Sequence, residues 1–168
     1  TTGRSAAVYT ENYGNQAIRA LTQASRRFFD APPEGFAEHP LLSPRGALFV
    51  ARDDQLATLG QALDEARALV PSIRWVEAAE AVKINPVLDG DYLAAAIFEP
   101  EAMDLDVHAI HAGFLGALRR RGGRVVTDAE IKALASTRGA WGAETRGGRV
   151  WAHRIVNADG AWGDVIAK

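Results

Sequence analysis

The spacing of apolar and polar positions changes several times along the chain, and each change marks an element. Ile18, Leu21, Ser25, Phe28 and Phe29 recur at intervals near three and four, with Arg19, Gln23, Arg26 and Arg27 between them. That spacing predicts an amphipathic helix over 14–29. Pro32, Pro33, Gly35, Pro40 and Pro44 predict a crossing loop over 30–44, with His39 exposed in it. A short strand follows over 46–52. Asp53 and Asp54 cap a helix that runs to about Val70, with Leu56, Leu59, Leu63, Ala66 and Val70 on one stripe; Pro71 ends it. Residues 73–76 read as a strand and 77–83 as a short helix stopped by Asn85-Pro86. Residues 92–98 are nearly all apolar, which predicts a strand covered on both faces.

The cleanest helical stripe is Val107, Ile110, His111, Phe114, Leu115 and Leu118. Asp104 or Asp106 caps its start, Arg119 to Arg121 complement the dipole at its end, and Gly122-Gly123 stops it. His111 lies on the stripe and is expected in the core, while His108 points away. Beyond it the period shortens. Strands are expected at 125–126, following the helix as a parallel strand would, and at 130–135, 140–145 and 149–156. A tight hairpin turn at 146–148 joins the last two. Asn157-Ala158-Asp159-Gly160 breaks the final strand, and a helix can begin near Ala161. A strand handing over to a helix through small residues is where α/β sheets meet nucleotides, although an ordinary strand-turn-helix has the same pattern.

Composition narrows the classes. The chain has 168 residues, with a formal net charge of −2. That balance argues against a dedicated nucleic-acid or membrane-surface protein. Cysteine is absent, so no disulfide or thiolate metal site is expected, which is compatible with the cytoplasm. No apolar run reaches the roughly 18 residues of a membrane span. Asp104 and Asp106 lack a third ligand and read as caps rather than metal ligands. The chain opens without methionine and closes within a helical pattern, so it is expected to be part of something longer.

Thr1-Thr2-Gly3-Arg4-Ser5-Ala6-Ala7 is rich in hydroxyls and small side chains. Such a stretch suits a pyrophosphate or a flavin edge, and equally a capped helix start. With Val150-Trp-Ala-His-Arg-Ile-Val-Asn-Ala-Asp-Gly-Ala-Trp162 at the other end, it resembles the D-amino acid oxidase and glycine oxidase family of FAD-dependent oxidoreductases. The 105–118 helix, Gly122-Gly123 and residues 125–131 keep the family order between them.

The resemblance implies a mixed α/β fold: a partial glutathione-reductase-like FAD-binding domain built from 1–31 and 100–168, with 32–99 as part of a substrate domain. It implies FAD contacts from Thr1, Thr2, Arg4, Ser5, Ala6, Ala7, Ile131, Ala158, Gly160 and Trp162. Arg4 is a candidate for holding an anionic group, and Asp159 stands where the family pattern has a small neutral residue. The implied reaction is hydride transfer from a small amine or hydroxyacid to the flavin, the protein supplying orientation. Oxidation of an amino acid or related amine is the leading reading. A 2-hydroxyacid or glycerol-3-phosphate dehydrogenase and a non-catalytic fragment without cofactor are the alternatives. The family's Gly-x-Gly-x-x-Gly unit and its later substrate strands are not in the chain. It is therefore expected to be an internal fragment that is colourless alone and prone to self-association at an unpaired sheet edge. No catalytic residue is assigned.

Overall fold

A computed structural model describes residues 5–137, 139–160 and 163–166. The chain divides into two compact units, Thr1–Arg121 and Gly122–Lys168.

In the first unit the elements run β1 (Val8–Tyr9), α1 (Gln16–Asp30), β2 (Leu42–Pro44), β3 (Ala47–Ala51), α2 (Leu56–Arg67), β4 (Arg74–Glu77), α3 (Ala78–Ile84), β5 (Ala95–Glu99), β6 (Met103–Leu105) and α4 (Val107–Arg120). The strands form two antiparallel sheets, ordered β1-β6-β2 and β3-β5-β4.

β5 is central in its sheet, and its alternating side chains feed two cores. Ala95 and Ile97 pack with Leu59, Leu63 and Ala66 of α2 and with Val70 and Ile73. Ala96 packs with Val76, Ala81 and Leu93. Burying a leucine of this kind stabilises by about 1.5–3 kcal/mol, so α2 is held by its stripe rather than by its caps. The expected two-sided cover of this strand is present. Its start lies later than residue 92, because the backbone N–H groups of Tyr92 and Leu93 both donate to the Asp89 carbonyl in a turn. Tyr92 is exposed there, and Arg52 donates to its hydroxyl at 2.9 Å.

The helix ends follow side-chain chemistry. Asn15 Oδ1 accepts from Ile18 N at 3.1 Å and opens α1. Residues 53–55 form a single 3-10 turn, so α2 begins at Leu56. Asp106 Oδ1 accepts from Ala109 N at 2.8 Å and caps α4. Asp104 has a different duty: it lies in β6 and receives Arg45 Nη1 at 2.7 Å.

His111 is exposed, which corrects its expected place in the core. The buried residue of α4 is Gly113. A residue two positions away is turned by about 200° on a helix, so His111 faces opposite the packed side. The sheet β1-β6-β2 was not legible either, because its strands are too short to show a period. Pro44 is tolerated because β2 is an edge strand.

The second unit is an antiparallel meander of β7 (Ile131–Thr137), β8 (Ala140–Thr145) and β9 (Gly148–Ala152), with a short α5 (Gly163–Ile166). Arg146 and Gly147 make the expected turn. Thr145 Oγ1 donates to the Gly148 carbonyl at 2.7 Å and accepts from Gly147 N at 3.2 Å. Residues 125–126 are not a strand, and β9 ends at Ala152 rather than 156. Val125, Val126 and Val156 are exposed. Their β propensity has no paired neighbour among the described residues, and propensity alone does not make a strand. Pairing is antiparallel throughout the described sheets. No described helix is long and apolar enough to cross a membrane.

Candidate functional site

The first unit holds a cleft of about 690 Å³ between the stretch Ser5–Thr10 and the face of α1 that carries Ile18, Leu21, Thr22 and Phe29, with Leu105 also lining it. Its wall is shaped by a local kink. Ser5 Oγ accepts from Ala7 N at 2.9 Å. Ala7 has φ +54°, and its carbonyl accepts from Leu105 N at 2.7 Å. A left-handed L-residue costs about 1–2 kcal/mol. The surrounding bonds and the pairing of Val8 with Asp104 and Tyr9 with Met103 hold it there. Strain of this kind concentrates at ligand sites.

Tyr9 lies at the base of the wall and is 3% exposed. Its hydroxyl shares a proton between Glu11 Oε1 at 2.8 Å and the Thr22 carbonyl at 3.1 Å. Burial, and then the neighbouring Glu11 carboxylate, push the phenol well above its ordinary value, so it is a fixed neutral donor. Phe29 meets its ring edge-on at 6.0 Å, and the Arg26 guanidinium lies 5.4 Å from the ring centre. Glu11 also accepts from Gln23 Nε2 at 3.4 Å, tying the wall to α1.

A second anchor comes from β5. Glu99 is 1% exposed and is the buried charged residue of the described core. Its Oε2 accepts from Thr10 Oγ1 at 2.7 Å and from Asn12 Nδ2 at 3.0 Å. Asn12 N donates to Thr10 Oγ1 at 3.3 Å, while Asn12 Oδ1 is buried without a partner. Among the described residues no cation pairs with Glu99.

Of the residues expected at the cofactor, Ser5, Ala6 and Ala7 share this cleft. Thr1, Thr2, Arg4 and Trp162 lie outside the described residues. Ile131 opens β7 opposite Thr145 and is half-buried. Ala158 and Gly160 are exposed beyond β9, in a loop where Asn157 accepts from Asp159 N at 3.1 Å and donates to the Gly163 carbonyl at 2.8 Å. Gly160 has φ +60°, a conformation that suits glycine. Asp159 is exposed, so its carboxylate needs no buried partner. Sequence reasoning missed Tyr9, Thr10, Asn12 and Glu99. The one signal was a carboxylate closing an otherwise apolar run at 93–98.

Ser5, Ala6 and Ala7 have side chains too small to fill the cleft, and the opposite side is mainly apolar. The family model described as DAO, FAD dependent oxidoreductase, matches residues 1–168, and the chain belongs to that family. It is similar to the mitochondrial dimethylglycine dehydrogenase of Rattus norvegicus, 26% identical over 122 residues, which is 68% of this chain and 14% of that protein. Among solved structures it resembles glycine oxidase from Geobacillus kaustophilus, with a TM-score of 0.83 at 20% identity, over 96% of this chain and 46% of that one. It also resembles L-proline dehydrogenase from P. horikoshii, with a TM-score of 0.78 at 20% identity, over 99% and 44%. The chain therefore spans less than half of each of these proteins, and the structural likenesses show the fold.

Proposed function

We propose that the whole protein is an FAD-dependent enzyme oxidising an amino acid or related small amine, and that the cleft beside Ser5–Thr10 forms part of its cofactor and substrate site. The observation that carries this reading is that Ser5, Ala6 and Ala7 line one wide, largely apolar cleft, with Ala7 held left-handed. Bound FAD supplies the electron-pair acceptor for oxidation of the amine-bearing carbon. The chain's own residues have other tasks. Ser5–Ala7 give the close approach that a flavin edge needs. Ile18, Leu21 and Phe29 offer an apolar surface on the opposite side. Tyr9 holds a proton that it does not give up near neutral pH.

We also propose Ile131, Ala158 and Gly160 as cofactor contacts, and residues 32–99 as substrate-side structure. The names of these relatives support an amine: dimethylglycine dehydrogenase, glycine oxidase and L-proline dehydrogenase. The absence of cysteine fits a cytoplasmic protein, and exposed sheet edges favour self-association. The test is anaerobic addition of N-methylated and primary amino acids to the whole flavoprotein. Bleaching of the oxidised flavin band by an amine is expected. Bleaching by 2-hydroxyacids alone would contradict the amine reading.

A further inference from the structure

We propose that Glu99 and Thr10 form a specificity pair, in which Glu99 positions the Thr10 hydroxyl so that it presents only an acceptor to the cleft. This rests on the reading of that cleft as part of the cofactor and substrate site, and it adds the chemistry that the wall selects. A threonine hydroxyl has one proton and two lone pairs. The proton of Thr10 is committed to Glu99 Oε2 at 2.7 Å, and one lone pair faces Asn12 N at 3.3 Å. The other lone pair is what the hydroxyl has left for a ligand, and Thr10 lines the cleft.

Asn12 Nδ2 donates to the same Glu99 oxygen at 3.0 Å, so that oxygen accepts both the Thr10 hydroxyl and the Asn12 amide. Glu99 is 1% exposed, so little water competes for the Thr10 hydroxyl proton. Both features favour a ligand that offers N–H, above all an ammonium group, and disfavour a carboxylate at this wall. The anionic end of a substrate is then oriented away from Thr10, and the amine toward it. Glu99 acts through Thr10 and is a positioning residue; Thr10 is the one that meets the ligand.

The test uses the whole protein stripped of flavin, so its failure and the failure of the flavin reading are separable. Amide NMR spectra are followed while n-butylammonium chloride or sodium butyrate is added at neutral pH and matched ionic strength. Butylammonium is expected to shift the amides of Val8, Tyr9, Thr10 and Leu21 saturably and to bind about tenfold tighter than butyrate, the scale of one charge-assisted hydrogen bond. Thr10→Ser keeps that preference. Thr10→Val, which preserves shape, brings the two probes to near equality. Glu99→Gln narrows the gap, because its amide can donate to Thr10 and release the hydroxyl proton. If Glu99→Gln fails to fold, the Thr10 variants decide alone. The proposal is overturned by butyrate binding as tightly as butylammonium, by no saturable shift with butylammonium, or by Thr10→Val retaining the preference.

Discussion

Gly113 lies directly beneath Phe36. A Cβ at position 113 would stand 2.5 Å from Phe36 Cε1 and 2.7 Å from the Phe36 carbonyl oxygen, and the ring packs perpendicular to both Phe28 and Phe114, with centroids 5.0 and 5.1 Å away. Because one of the atoms met is backbone, the clash cannot be relieved by a rotamer change. Gly113→Ala is therefore expected to destabilise the chain by about 1–3 kcal/mol. Gly116, one turn along the same helix, would meet only Arg120 Nη1 at 3.3 Å, the end of a flexible side chain. Gly116→Ala should stabilise by up to about 1 kcal/mol through helix propensity. Urea unfolding of the two variants gives the signs, and equal effects would contradict the packing described.

Ala7 supplies a second backbone test. At φ +54° a β-branched side chain is strongly disfavoured, whereas glycine is not. Ala7→Val should lower stability by about 1–2 kcal/mol. Ala7→Gly should leave it unchanged or slightly higher, since relief of strain offsets the greater freedom of the unfolded glycine. An unchanged midpoint for Ala7→Val in urea would show that the wall is not held left-handed.

Tyr9 makes stability depend on alkaline pH. Its folded pKa is raised, first by burial and then by Glu11, from an ordinary value of 10.0. The unfolded chain therefore loses the phenol proton first. The stabilisation is complete below about pH 10 and is lost as pH rises toward the folded value. Tyr9→Phe should flatten this decline while losing the bond to Glu11. Thermal unfolding of both proteins across the alkaline range checks it, and parallel curves would contradict it.

The parts of the fold legible in sequence were those with a repeated period. The stripe of Leu59, Leu63 and Ala66 and the apolar run of Ala95–Ile97 pack as their spacing implies, because burial of alternating faces enforces the period. Val125, Val126 and Val156 misled for the opposite reason: they are β formers, and no strand partner meets them among the described residues. His111 misled because a six-residue apolar stripe is wider than the face this unit covers, which is centred on Gly113. The candidate site divided the same way. Ser5–Ala7 stood out as small residues and hydroxyls. The Tyr9–Glu11 and Thr10–Glu99 links did not, since Thr10 and Glu99 are 89 positions apart and become neighbours only when the stretch after β1 reaches the end of β5.

In the proposed function the Ser5–Ala7 wall holds the flavin. Ala6 is exposed within the cleft, so Ala6→Trp fills it without disturbing a packed core. The deciding measurement is the visible spectrum of the whole protein after gel filtration, wild type beside Ala6→Trp, with far-ultraviolet circular dichroism to confirm equal folding. Wild type should retain an oxidised flavin band, and Ala6→Trp should lose most of it while keeping its secondary structure. A variant that folds and retains as much flavin as wild type would contradict the assignment of this cleft to the cofactor.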